Sequence, residues 1–165
     1  MAETIAFVLR NLPVFLFVAA LVFAWLSRSG APLADRLLNW ILLLPIGVSG
    51  IWAAVFHLFF PEIAAADIGW EPSPFQFEVG MADLAMGLAA CISFWRNLDF
   101  KAAVVIINAI FLLGDAIGHV RQMIAEGNFA SGNAGVPFAG DLVLPLLSII
   151  LLIIVQRSEA ASRLS

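Results

Sequence analysis

The sequence predicts an all-α polytopic membrane protein, a bundle of about five transmembrane helices. The first reason is composition: 62% of the residues are hydrophobic and only 12% are charged, whereas soluble domains are roughly 45–50% apolar and about 25% charged. The second reason is size, because a chain of 165 residues buries only about two thirds of its surface on folding. We therefore expect lipid to cover most of the apolar surface, in a single integral membrane domain over residues 1–165.

The third reason is that the apolar residues fall in runs of the length that a membrane helix needs. A hydrocarbon core of roughly 30 Å requires about 20 apolar residues per helix. The predicted spans are residues 5–27, 37–60, 75–95, 102–123 and 136–156. Glu3 and the lack of a clear cleavage site favour a retained first span over a signal peptide.

Three prolines fall inside the predicted spans. They are Pro13, Pro45 and Pro145. Proline lacks the backbone N–H that a helix interior needs and clashes with the preceding turn, so each is expected to kink its helix.

The basic residues predict the orientation of the chain. Six of the eight lysines and arginines fall on one side of the five-span arrangement, namely Arg28, Arg36, Arg96, Lys101, Arg157 and Arg163. Only Arg10 and Arg121 fall on the other side. Because short basic loops stay in the cytoplasm, we expect a multi-pass protein of the cell membrane with its N-terminus outside and its C-terminus cytoplasmic.

Charge and cysteine content exclude some functions and leave others open. The net charge of −4 disfavours nucleic-acid binding, which needs a basic face. The single cysteine, Cys91, cannot form an internal disulfide. The partners we expect are the lipid bilayer and either a second copy of this chain or a subunit of a membrane complex.

Six ionisable side chains lie inside the predicted spans and near the same membrane face. They are His57, Glu78, Asp83, Asp115, His119 and Asp141. A charged side chain at the centre of a span costs roughly 2.5–3.5 kcal/mol on insertion scales, so each needs a compensating role. Chain direction alternates between spans, yet all six map to the outer half of the bilayer. The cluster is therefore the predicted functional site.

A metal ion is one candidate ligand for this cluster. Asp115 and His119 are one helical turn apart, so they can share a metal ion or form a carboxylate–imidazole hydrogen bond. Together with His57 and Glu78 they form a ligand set suited to zinc, iron or copper. A haem held between the two histidines is a weaker alternative, since carboxylates are a poor wall for a porphyrin.

Two other interpretations remain open. A small polar ligand would contact Gln76, Glu78, Asp83 and Asp141. Alternatively, the chain is an accessory or structural subunit, and its buried polar residues serve helix assembly. The inner halves of the spans offer no continuous polar track, which favours a one-sided site over a channel. No motif assigns a reaction, so the sequence leaves open whether the protein is an enzyme.

Two longer connections are predicted on the outer side. Residues 61–74 are acidic and end in Ser73-Pro74-Phe75-Gln76. This pattern is typical of a helix start in which Ser73 caps the helix and Gln76 completes a capping box. The second connection, residues 126–135, is rich in glycine and asparagine, and we expect a flexible, turn-forming loop.

Two segments carry a resemblance to a known family. They are Ser73-Pro74-Phe75-Gln76-Phe77-Glu78-Val79-Gly80 and Gly114-Asp115-Ala116-Ile117-Gly118-His119. With them the chain resembles an uncharacterised family of small polytopic integral membrane proteins, which is defined only by a domain of unknown function. The resemblance covers spans two to five and implies no activity. It marks Gln76, Glu78 and His119 as the positions to test.

Overall fold

The protein is helical throughout the residues that the computed structural model describes, which are residues 11–27 and 30–162. The helices are α1 (Leu12–Leu26), α2 (Leu33–Phe59), α3 (Pro61–Ile68), α4 (Phe75–Ser93), α5 (Leu98–Glu126), α6 (Ser131–Ala134) and α7 (Val136–Ser162). No strand occurs among the described residues. Four of these helices, α2, α4, α5 and α7, are long and apolar enough to cross a membrane. The predicted all-α class is confirmed.

The first predicted span is described only in part. Helix α1 has 15 residues and is apolar, but it is shorter than the four candidate spans. Residues 5–10 of the predicted span lie outside the described residues, as do Arg10, Arg28 and Arg163, which contributed to the predicted orientation. Pro13 lies in the first turn of α1, where proline is well tolerated because its missing N–H has no helical partner anyway. The predicted kink at Pro13 was therefore wrong.

The other span predictions agree with the helices to within three residues, except at three ends. Helix α2 begins at Leu33, ahead of the predicted start at residue 37, and α5 begins at Leu98, ahead of the predicted start at residue 102. Helix α7 continues to Ser162, beyond the predicted end at residue 156. All three extra segments are more polar than the span cores. Hydropathy marks the part of a helix that suits lipid, and a helix can extend beyond that part into water.

Helix α2 changes its winding in the middle. Residues Leu42–Val48 form a π-helix around Pro45. A π-helical turn is wider than an α-helical turn, so it accommodates a residue that cannot donate a backbone hydrogen bond. The sequence predicted a kink at Pro45, and the structure shows a change of helix type around this residue.

The four long helices pack as two pairs. Helix α4 packs most extensively on α2, and α5 packs most extensively on α7, while the contact between α4 and α5 is smaller. Glycine brings the first pair close together. A Cβ atom on Gly87 would lie 2.8 Å from the backbone nitrogen of Ile51 and 2.9 Å from the carbonyl oxygen of Gly47. The glycines at this contact thus allow the two helices to approach closely.

The apolar core lies at one end of the bundle, and α3 and α6 lie at the other. The core comprises Ala20, Leu38, Ile41, Leu42, Ile46, Ala90, Val104, Val105, Leu151, Leu152 and Val155. Ala20 comes from α1, and the other residues come from the end of α2, α5 or α7 that is distant from α3 and α6, and from the corresponding end of α4. We call the opposite end, where α3 and α6 lie, the short-helix end. The two helix pairs are held together by apolar packing at one end only.

Replacing Gly87 with alanine should destabilise the fold. The new methyl group would meet backbone atoms of α2, which cannot move away as a flexible side chain can. We expect a loss of about 1–3 kcal/mol in the free energy of unfolding, typical of overpacking, measured by thermal or denaturant unfolding in detergent. The matched control is Gly114→Ala on α5, where a Cβ meets nothing within 4 Å. Equal stability of the two variants would contradict the proposed close packing.

Candidate functional site

A cavity of about 520 Å³ lies between the two helix pairs. Residues of α2, α4, α5 and α7 line it, and residues of α3 and Gly132 of α6 contribute at the short-helix end. Its lining is mostly apolar but includes His57, Asp83, Asp115, His119 and Asp141. Its volume falls in the range of roughly 300–1,000 Å³ that is common for small-molecule sites.

Asn133 holds His119 in position from the connection between α5 and α7. Asn133 is fully buried and His119 is 8% exposed. The Nδ2 group of Asn133 donates to the backbone carbonyls of His119 (3.2 Å) and Asn128 (2.9 Å). Its Oδ1 atom lies 2.8 Å from Nδ1 of His119. Since Nδ2 already has two carbonyl acceptors, Oδ1 has to face the imidazole, and Nδ1 of His119 is therefore the donor.

The second ring nitrogen of His119 faces Asp141. Its Nε2 atom lies 3.4 Å from the carboxylate oxygen Oδ2 of Asp141. Because Nδ1 carries a hydrogen, Nε2 of a neutral ring is an acceptor, as is a carboxylate. A favourable contact therefore requires one proton between Nε2 and Asp141. The imidazole is further flanked by the rings of Trp70 and Phe138, with centroids 6.1 Å and 6.4 Å away.

His57 has a partner of its own on α4. Its Nδ1 atom forms a hydrogen bond with Oε1 of Gln76, which is buried. Ser73 accepts a hydrogen bond from the backbone N–H of Phe75 (3.1 Å), so it does stabilise the helix start. Gln76, however, does not complete the expected capping box, because its side chain turns inward to the imidazole. Each histidine of the site is thus oriented by an amide side chain.

The short-helix end is closed by contacts between the two longer connections. The side chain of Asn128 donates to the carbonyl oxygen of Ile68 (2.9 Å) and accepts from the backbone N–H of Ala130 (3.0 Å). A Cβ on Gly132 would lie 2.5 Å from the carbonyl oxygen of Asp67. The segment expected to be a flexible loop therefore contains α6 and is packed tightly against α3.

The structure brings five of the predicted site residues to one cavity and leaves two outside its lining. His57, Asp83, Asp115, His119 and Asp141 all line the cavity. Gln76 lies behind His57 as its hydrogen-bond partner. Glu78 is exposed on α4 and is absent from the lining.

The predicted metal centre gains no support from this arrangement. Among the described residues, no group of three or more histidine, cysteine, aspartate or glutamate side chains is placed to hold a metal ion. The ring nitrogens of His119 point to Asn133 and Asp141, so the expected pairing of His119 with Asp115 along one helix does not form. His119 therefore contacts Asn133 of α6 and Asp141 of α7 in place of Asp115 on its own helix.

Sequence reasoning missed Asn133 and Asn128, and it left Asn108 out of the predicted site. The first two were assigned to a flexible loop on account of their glycine neighbours. The spacing of Asn108, Asp115 and His119 places all three on one face of α5, and Asn108 does line the cavity; it was left out because it falls in the inner half of the predicted span. A buried asparagine in a turn has no sequence pattern that separates it from an exposed one.

The fold and the cavity together define a helical protein that has, among the described residues, four helices suited to a membrane and a mostly apolar cavity with ionisable side chains in its lining. The chain belongs to the DUF6790 family, a family of unknown function whose sequence pattern matches residues 10–161. No curated protein and no solved structure matches the chain. The family membership agrees with the resemblance to a domain of unknown function and assigns no activity.

Replacing Asn133 with alanine should destabilise the protein and alter His119 alone. The change leaves Nδ1 of His119 and two backbone carbonyls without their partner, and an unsatisfied buried group costs about 1–3 kcal/mol. We expect a lower unfolding midpoint and, in protein labelled with ¹⁵N-histidine, a shifted imidazole signal for His119. His57, the only other histidine, serves as an internal reference.

The control variant for this experiment is Ser131→Ala, in the same short helix and exposed. It should leave both the midpoint and the His119 signal unchanged. An unshifted His119 signal in Asn133→Ala would contradict the hydrogen bond.

Proposed function

We propose that this protein is a multi-pass integral membrane protein that binds a small molecule in the cavity between its two helix pairs. The observation that carries the proposal is the combination of a mostly apolar cavity of about 520 Å³ with six ionisable side chains in its lining, which are His57, Asp67, Asp83, Asp115, His119 and Asp141. Binding sites for small molecules are typically apolar pockets in which a few polar groups fix the orientation of the ligand.

The proposed topology has the C-terminus in the cytoplasm and the short-helix end outside. In the described chain, Arg36, Arg96, Lys101 and Arg157 lie near the end of the bundle that is distant from α3 and α6, and Arg121 lies near the short-helix end. Because basic residues are concentrated in the cytoplasmic loops of membrane proteins, this asymmetry favours a cytoplasmic location for the end of the bundle that carries the four basic residues. The cavity then lies in the half of the bundle nearer the outer surface. The cell membrane is the proposed location.

Fixed histidines favour binding over a purely structural role for the polar residues. A polar network that only assembles helices is expected to satisfy its members with one another. Here Gln76 and Asn133 satisfy one nitrogen of each imidazole, while Asp83 and Asp115 accept no hydrogen bond from the described residues. Polar side chains that are held in one orientation but still lack hydrogen-bond partners are typical of a preorganised binding site.

Filling the cavity should abolish ligand binding. Gly140 lines the cavity, and a Cβ there meets only the side chain of Leu144, at 3.9 Å, so Gly140→Leu would project new side-chain volume into the site. The measurement is a thermal-shift screen of a small-molecule library, in which a ligand at one hundred times its Kd stabilises by about 2.7 kcal/mol. Compounds that stabilise the unmodified protein should not stabilise Gly140→Leu.

The matched control is Gly118→Leu on α5, which lies outside the lining and in open space. It should respond to the same compounds as the unmodified protein. Equal responses of the two variants would contradict the cavity as the binding site. Elemental analysis of the same samples tests the metal hypothesis: near-stoichiometric zinc, iron or copper that is lost in His119→Ala would establish a metal ligand instead.

A further inference from the structure

The polar groups of the cavity that lack a partner are hydrogen-bond acceptors. The side chains of Asp83 and Asp115 line the cavity and receive no hydrogen bond from the described residues. Asn108 is only 6% exposed, and its amide nitrogen donates to the carbonyl of Val104 (2.9 Å), so its Oδ1 atom has no partner in the described chain. A ligand in this cavity has to supply donors.

Two further atoms can accept a hydrogen bond from a ligand. The Ser49 hydroxyl, which can donate as well as accept, is buried against the cavity without a partner among the described residues. Because Nδ1 of His57 donates to Gln76, the Nε2 atom of a neutral His57 is an acceptor. An unpaired buried polar atom costs about 1–3 kcal/mol. Of the atoms named here, the Ser49 hydroxyl is the one that is fully buried without a partner among the described residues; the acceptors of Asp83, Asp115, Asn108 and His57 reach the cavity, where the donors of a ligand can meet them.

The acidic side chains of the cavity add a second requirement for the ligand, which is a positive charge. Asp83 interacts electrostatically with Asp115 and Asp141, and Asp115 interacts with Asp141. None of the described residues in the lining is a lysine or arginine. Of the two histidines in the lining, His119 is the one that interacts electrostatically with Asp115 and Asp141. Repulsion between carboxylates is strong where water is scarce. A positively charged ligand would relieve it.

The walls of the cavity set the shape of this ligand. Trp52, Phe56 and Phe111 line it, together with aliphatic residues such as Ile46 and Leu112. Aromatic rings bind organic cations through their negatively polarised faces. A bare metal ion would use neither the apolar walls nor most of the volume, and no group of three ligand side chains is placed for one in the described chain.

We propose that the cavity takes an organic cation, a primary amine or amidine carried on an apolar or aromatic body. This inference rests on the proposed ligand-binding function and specifies its ligand. The ammonium or amidinium N–H groups bind between Asp83 and Asp115, within reach of Asn108, and the apolar body lies against the aromatic wall.

Three indole compounds of similar size and different charge test this proposal. Tryptamine carries an ammonium group, tryptophol a hydroxyl, and indole-3-acetate a carboxylate. Their binding is measured by equilibrium dialysis against the full chain in nanodiscs of pure phosphatidylcholine, with empty nanodiscs subtracted. Tryptamine should bind at least tenfold more tightly than tryptophol, and indole-3-acetate should show no specific binding.

Asp115→Asn should weaken tryptamine binding roughly tenfold or more, because it removes a charge-assisted hydrogen bond, and should weaken tryptophol binding far less, because the tryptophol hydroxyl carries no charge. Asp83→Asn provides the same test if Asp115→Asn does not fold. The control is Asp99→Asn, which changes an exposed carboxylate outside the cavity and should leave the binding of all three probes unchanged.

The outcomes separate this inference from the proposed function. If the three probes bind equally well and Gly140→Leu abolishes all binding, the cavity is a ligand site but the preference for a cation is overturned. If none binds specifically, both proposals are overturned. Adding phosphatidylethanolamine to the nanodiscs identifies the source of the ammonium group: competition with tryptamine indicates a lipid headgroup, and no competition indicates a free amine.

Discussion

The hydrogen bonds of Asn133 organise the polar end of this bundle. An imidazole inside an apolar helix assembly needs a partner that cannot come from its own helix, because the backbone there is already bonded. Asn133 provides that partner and also bonds the carbonyl oxygens of His119 and Asn128. The chain between α5 and α7 has to fold back into the bundle to deliver it. That return places α6 against α3 and closes the end of the cavity.

The two ends of the bundle have different roles. At one end, close apolar packing holds α1, α2, α4, α5 and α7 together. At the other end the two helix pairs separate, and both α4 and α7 line the cavity without packing extensively on each other. The packed end stabilises the fold, because a cavity whose acceptors lack hydrogen-bond partners contributes little to folding. The same division keeps the site preorganised, which lowers the cost of ordering side chains when a ligand binds.

Some of this architecture follows directly from the sequence. Apolar runs predicted the positions of α2, α4, α5 and α7 because lipid demands a minimum length of apolar helix. Alternating chain direction placed His57, Asp83, Asp115, His119 and Asp141 at one depth, and these residues do line a single cavity. Depth along a helix can be counted from the sequence. That is why these residues could be grouped without knowing how the helices pack.

What could not be predicted depends on rotation about the helix axes and on long-range contacts. Glu78 was counted with the cluster by depth, but its face of α4 is exposed. Asp115 was paired with His119 by helical spacing, whereas the ring of His119 turns to Asn133 and Asp141. A glycine-rich segment is typical of a loop, whereas in the structure this segment packs against Asp67 through Gly132 and is held by the hydrogen bonds of Asn128 and Asn133.

The most direct test of the proposal that the cavity binds a cation is to introduce a lysine into the cavity by mutation. Leu112 lines the cavity, whereas Ile110 is 70% exposed on the same helix. The two residues lie about 3 Å apart along the axis and about 200° apart around it. The measurement compares the unfolding free energies of Leu112→Lys and Ile110→Lys in detergent or nanodiscs. A lysine facing lipid should cost roughly 2.5–3.5 kcal/mol, whereas the lysine at position 112 should cost clearly less because it meets the carboxyl groups of the cavity. An equal or larger loss for Leu112→Lys would contradict the account.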